Sequence, residues 1–366
     1  MKFKTSRILE ISRDFFFDVA LPILTEHFPQ DMQAAACGFF GYGSECLGMD
    51  DDYSRDHHFG LRVNMLLPSE VFAARGEAIL TTLAQKLPET YRGVSLRSGH
   101  EKGAGVSPER LEGFLTRTIG ITYAPQTSAE WLNMPEEDII HVINGEVWHD
   151  PSGRFSAIRT VLGGYYPDDV WKRRIAHWCR YFSGMGLYPM KRAILRENWV
   201  YATTALGRTM KWAMELAFLL NRTYFPYDKW LYPFFKQLPE LAPTMDGLIQ
   251  EAASNGCSWE RRVEIFEQIS DILDARMVEL GFVPPHPRFR GSPTSGYRLL
   301  EHNYAAILQS LPPDVRSIVP LWDQTYLESF HSNYVAGLPL EEWDAVLNLA
   351  PIEGVAHVSP TDRGRL

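Results

Sequence analysis

Residues 41–60 read GYGSECLGMDDDYSRDHHFG, and the next eight, LRVNMLLP, complete the stretch that decides the fold. Four glycines fall between Gly38 and Gly48, directly after the small-residue run AAAC, so a tight turn is expected there. Leu61, Val63, Met65 and Leu67 then alternate with Arg62, Asn64 and Leu66 until Pro68 closes the run, and that period of two predicts a strand. Between turn and strand lie Asp50, Asp51, Asp52 and Asp56, with His57 and His58. Flexible backbone amides suit phosphate, and hard carboxylate oxygens suit Mg²⁺. The same residues also fit a solvated acidic loop whose Asp side chains cap turns.

Upstream, Ile8, Leu9, Ile11, Phe15, Phe16, Val19 and Ile23 recur at helical spacing, with Pro22 as a kink or late break. Downstream, a helix is expected from Ser69 to Leu87, a short strand at Val94 and Leu96, and a helix opened by Ser107 and Pro108. A β-rich segment, Glu146 to His149, sits between Asn144-Gly145 and Pro151-Ser152-Gly153 turn signals. After Tyr165-Tyr166-Pro167 the patterning is helical: a segment capped by Asp168 and Asp169, then Ala193 to Asn221, Met245 to Ala253 and Arg261 to Leu280. A Pro- and Gly-rich loop, Gly281 to Gly296, precedes a final helical set. The expected architecture is an α+β domain over residues 1–165, a mixed sheet with flanking helices, followed by an all-α domain over residues 166–366.

Composition agrees with two folded domains, because 366 residues exceed the roughly 150 typical of one. A 45% hydrophobic and 13% aromatic content offers ample apolar surface. A formal charge of -9 argues against general nucleic-acid binding. Four widely spaced cysteines fit neither a zinc knuckle nor a disulfide framework. Charges at Arg7, Glu10, Arg13, Asp14 and Asp18 interrupt the N-terminal apolar pattern, and no run is long enough to cross a bilayer, so a cytoplasmic protein is expected.

A Gly-Ser turn, 11 intervening residues from Glu45 to Arg55, and an Asp entering a strand resemble the signature of the polymerase-β-like nucleotidyltransferase superfamily. GYGSECLGMDDDYSRDHHFG, GEVWHDPSGRF, YYPDDVW and LNRTYFPYDKWLYPFFKQLP, in that order across residues 35–240, resemble a bacterial branch with a helical C-terminal domain. The resemblance implies a nucleotidyltransferase-like N-terminal domain. Gly43 and Ser44 would hold nucleotide phosphates, and Asp56 would be the first metal-binding carboxylate. His58 stands where the pattern has its second acid, which implies a single metal, a metal softer than Mg²⁺ such as Mn²⁺, a recruited Asp50, Asp51 or Asp52, or loss of nucleotidyl transfer. Asp150, then Glu146, is the candidate third carboxylate, the two sharing a strand face if no bulge intervenes. The implied substrates are an NTP and a small-molecule acceptor, with a nucleoside monophosphate transferred and pyrophosphate released.

Three further readings stay open. Arg208 and Lys211 share a helix face and would meet the triphosphate or acceptor across an interdomain cleft, or are ordinary solvated cations. The aromatic run Tyr224 to Trp230 would wall an acceptor pocket or pack a helix junction. Finally, the chain is either a degenerate relative binding nucleotide or metabolite without turnover, or a metalloenzyme using His57, His58, His141 and His149 for other chemistry.

Overall fold

The computed structural model describes residues 7–54, 60–96, 105–285 and 299–318. The chain divides into two units, residues 1–130 with 134–165 and residues 131–133 with 166–366. The first is α+β; the second is helical throughout its described residues.

Four strands form the larger of the first unit's two sheets: β1 (Ala36–Phe39), β2 (Val63–Leu67), β3 (Val106–Arg110) and β4 (Glu146–His149), in the order β3-β2-β1-β4; the smaller pairs Thr90–Tyr91 with Val94–Ser95. β1 runs antiparallel to both β2 and β4, and β2 runs parallel to β3. Alternation decides the two faces. Cys37 and Phe39 of β1 join Val63, Met65 and Leu67 of β2 in a core with Phe15, Phe16, Leu24, Ile79 and Leu83. Those partners come from α1 (Arg7–Phe15), the segment following it and α2 (Ser69–Lys86). Phe40 instead packs with Phe114 and Phe155, at ring distances of 5.5 and 4.8 Å. These rings belong to β1's exit, α3 (Leu111–Ile119) and, beyond α4 (Glu136–Ile143), α5 (Arg154–Gly163). Each large side chain so buried contributes roughly 1.5–3 kcal/mol of transfer free energy.

Two elements of the first unit differ from the sequence expectation. Ser107 and Pro108 lie in β3, with Pro108 opposite Met65, and the helix begins only at Leu111. The proline is tolerated because β3 is an edge strand, where a missing N–H breaks no interior ladder. The opening helix is also not α-helical throughout. A π-helical turn, Phe16–Ala20, intervenes before the segment Leu21–His27, whose first turn contains Pro22, the residue that cannot donate a helical hydrogen bond.

A bulge separates the β1–β4 register, since Cys37 pairs with His149 but Gly38 with Val147, leaving Trp148 as the extra residue. Gly38 permits this approach: a Cβ there would lie 2.2 Å from the Glu146 carbonyl oxygen.

In the second unit, α6 (Asp168–Arg180) runs through a π-helical turn, Tyr181–Leu187, into α7 (Tyr188–Leu195). The pattern from Ala193 to Asn221 is therefore two helices, α7 and α8 (Trp199–Leu220). The break is local: Glu197 takes φ 53°, and the Asn198 side chain caps α8 by accepting the Tyr201 amide at 3.2 Å. α9 (Asp228–Phe235), α10 (Ala242–Ala253), α11 (Trp259–Glu279) and α12 (Leu299–Ser310) complete the longer helices. Tyr224 and Phe225 are buried against Tyr166 and Trp178, so this part of the aromatic run is core. Among the described residues no helix is long and apolar enough to cross a membrane.

Candidate functional site

β1 ends at Phe39, and the chain turns through Gly41 (φ 95°) and Gly43 (φ 125°) into a single 3₁₀ turn, Ser44–Leu47. Positive φ at both positions is why glycine stands there. Asn144 grips the turn from outside the strand: its Oδ1 accepts the Gly41 N–H at 2.9 Å and its Nδ2 donates to the Gly41 carbonyl at 2.8 Å. His141 Nδ1 lies 3.2 Å from the same carbonyl, so the partner assigns the proton to Nδ1. Burial lowers the His141 pKa to about 4, partly offset by this hydrogen bond. The ring is therefore neutral near pH 7, and Tyr42 lies over it at 4.0 Å between centroids.

Asn144 and His141 are positioned by Arg159 of α5. Its guanidinium donates to the carbonyls of Val142 at 2.6 Å, Asn144 at 2.8 Å and Ile143 at 3.1 Å, satisfying the end of α4. Burial pulls its pKa to about 10, still cationic at neutral pH. From beneath, Arg62, just before β2, forms a buried ion pair with Glu45, Nη1 to Oε1 3.1 Å. It also donates to the Tyr42 carbonyl and, at 3.1 Å, to Cys46 Sγ. Burial raises the Cys46 thiol to about 12 despite this cation, so it stays protonated and structural. The turn is thus fixed by α4 on one side and by the entrance to β2 on the other.

Asp138, in the first turn of α4, is the carboxylate with a raised proton affinity beside this turn. Partial burial, then the Glu137 charge, lifts it to about 6, and its charge in turn raises the Tyr42 hydroxyl after burial. Nothing in sequence distinguishes Asp138 from the ordinary run of acids after Pro135. Glu45, Arg62, Asn144 and Arg159 were equally silent, because their partners are up to 103 residues away.

The structure places the expected site residues differently from one another. Gly43 and Ser44 form the turn, with Ser44 buried. Asp56 and His58, like His57, lie outside the described residues. Asp51 and Asp52 are exposed, and Asp51 Oδ1 accepts the Ser54 hydroxyl at 2.7 Å in a local turn. Glu146 and Asp150 do not converge, because the Trp148 bulge breaks the alternation that would align them. Glu146 pairs with Arg13 of α1 at 3.1 Å and accepts the Trp148 indole N–H at 2.8 Å. Asp150 accepts the Ser156 amide at 2.8 Å in the first turn of α5 and the Ser152 hydroxyl at 3.0 Å. His149 Nε2 lies 2.8 Å from the Met32 carbonyl. Among the described residues no group of three or more His, Cys, Asp or Glu is placed to hold a metal ion. The described carboxylates therefore do not by themselves fit a two-metal site.

Arg208 and Lys211 do share a helix face, and both line a cavity of about 480 Å³ within the second unit. Lys211 pairs with Asp228 and, at 3.6 Å, with Glu215.

A family model described as a domain of unknown function (DUF4037) matches residues 131–231, which contain β4, α5, α8, Arg208 and Lys211. No curated protein matches the chain.

Proposed function

We propose that the first unit binds a nucleoside triphosphate at the Gly43-Ser44 turn and transfers its nucleoside monophosphate to a small-molecule acceptor, in the manner of the nucleotidyltransferases that the sequence resembles. One observation carries this reading. The antiparallel register of β1 and β2, with Gly38 opposite Asn64, brings the Gly-Ser turn and the entrance to β2 to one end of the same strand pair. In sequence, Asp56 and His58 fall between that turn and that entrance.

In the transfer, an acceptor oxygen forms a bond to the α-phosphorus, the bond to the bridging oxygen breaks, and pyrophosphate leaves with its electron pair. A Mg²⁺ or Mn²⁺ at Asp56 and His58 would neutralise phosphate charge when bound. A carboxylate would receive the acceptor's proton, and Asp138, whose charge reaches Tyr42 of the turn and whose proton affinity burial raises, is the candidate among the described residues. The Asn144, His141 and Arg62 contacts hold the turn rigid, so positioning is prepared before substrate arrives. Nothing in the reading requires nucleic acid or a membrane, and a cytoplasmic setting suits it.

The placement of Glu146 and Asp150 favours a second reading, binding without turnover. One is engaged by Arg13 and the other by the first turn of α5, contacts that a metal would have to compete with. Incubating the protein with each NTP, Mg²⁺ or Mn²⁺ and a broad metabolite pool, and measuring pyrophosphate release, separates the two. Release abolished by Ser44→Ala supports transfer; saturable nucleotide binding without release from any pool supports the second reading.

A further inference from the structure

The helical unit carries a cavity that the nucleotide reading does not use. It is floored by Met210 and Met214 of α8, Leu231 of α9 and Ile249 of α10, four flexible or branched apolar side chains. Methionine adapts to varied apolar shapes. Polar groups are confined to a few positions. Tyr232 and Gln250 also line the cavity, but both donate to Asp246, at 2.7 and 2.9 Å, and are already engaged. Lys211 shares its charge with Asp228 and Glu215. Arg208 is different: its exposed guanidinium has no hydrogen bond or ion pair among the described residues.

We infer that this cavity binds an amphipathic monocarboxylate, its apolar body on the methionine floor and its carboxylate on Arg208. Arg offers a planar fork that matches a carboxylate with two parallel hydrogen bonds. One uncompensated cation suits one negative charge, and Asp228 at the rim disfavours a dianion. A volume of about 480 Å³ lies within the range of small-molecule sites. Gly207 lines the same cavity, and a Cβ added there would meet nothing within 4 Å, so a side chain can be introduced at this edge without displacing a neighbour.

The test uses the full chain carrying ¹³C-methyl methionine, titrated with decanoate and separately with decanol. Decanoate is expected to saturate one site and shift the Met210 and Met214 methyl resonances, each assigned from a Met→Leu variant. Decanol should bind at the same methyls at least fivefold more weakly. Arg208→Gln should reduce decanoate affinity to that of decanol and leave decanol unchanged, whereas Gly207→Met should weaken both. Both positions are exposed, and helical circular dichroism checks that each variant folds. The inference is overturned by absence of saturable decanoate binding, by shifts confined to other methionines, or by Arg208→Gln leaving the preference intact. It does not rest on the nucleotide reading, and ATP should not displace decanoate.

Discussion

Arg62 and Glu45 meet at 3.1 Å with 6% and 1% of their side chains exposed, joining the entrance of β2 to the 3₁₀ turn that follows Gly43. Two charges so far from water have large desolvation costs, and removing either strands the other. Arg62→Met or Glu45→Leu alone should therefore destabilise the first unit by about 3–5 kcal/mol. The double variant should recover much of that loss in chemical denaturation, while nucleotide binding is not restored, because the Tyr42 carbonyl loses its guanidinium donor.

Glycine is required at the β1–β4 seam for steric reasons that backbone conformation alone does not give. At Gly145, with φ 57°, a Cβ would stand 1.9 Å from the Phe39 carbonyl oxygen. Gly153 has a similar φ, 67°, yet nothing lies within 4 Å of its Cβ position. Gly145→Ala should cost at least about 3 kcal/mol in urea denaturation, against about 1 kcal/mol for Gly153→Ala, where only the left-handed backbone is penalised.

The two shifted groups of α4 have opposite pH signatures. His141 is neutral in the fold down to about pH 4, so as pH falls from 6.5 the unfolded chain takes up a proton that the folded one refuses. Its contribution costs up to roughly 3 kcal/mol by pH 4. Asp138 protonates first in the fold, so acidification from about 6 toward 3.8 adds stability, about 1 kcal/mol after allowance for its solvent exposure. Relative to wild type, His141→Gln should gain stability between pH 6.5 and 4. Asp138→Asn should be more stable at pH 7 and lose that advantage by pH 4. Thermal unfolding across this range measures both differences.

Asp150 separates a structural from a metal-binding role. As an acceptor for the Ser156 amide, it should tolerate Asn and lose about 1 kcal/mol as Ala. As a metal ligand, it would lose metal-dependent activity in Asp150→Asn with stability preserved. The structure predicts the former, read by denaturation alongside pyrophosphate release.

The alternation of Leu61 to Leu67 and the glycines of residues 38–48 made β2 and the turn legible, because both depend on local backbone preference. The change to helical patterning after Tyr166 was equally local. Pro108 misled because a proline that opens a helix also fits an edge strand, and edge position is a property of the assembled sheet. The Trp148 bulge was unreadable for the same reason: it exists only in the register with β1. Around the turn, sequence identified Gly43 and Ser44 but not the residues that hold them. Asn144, Arg159, Glu45 and Arg62 act through long-range contacts to backbone or buried charge, and no spacing announces these.

The most direct measurement is calorimetric titration of ATP with Mg²⁺ into the full chain and its Ser44→Ala and Gly43→Ala variants. In the second, a Cβ would lie 2.5 Å from the Glu45 carboxylate and disturb the braced turn. One saturable site in the wild type, weakened at least tenfold in both variants and unchanged in Arg208→Gln, is the predicted result. Absence of ATP binding by the folded wild type, or equal affinity in all four proteins, would contradict the assignment of the Gly43-Ser44 turn as the phosphate site.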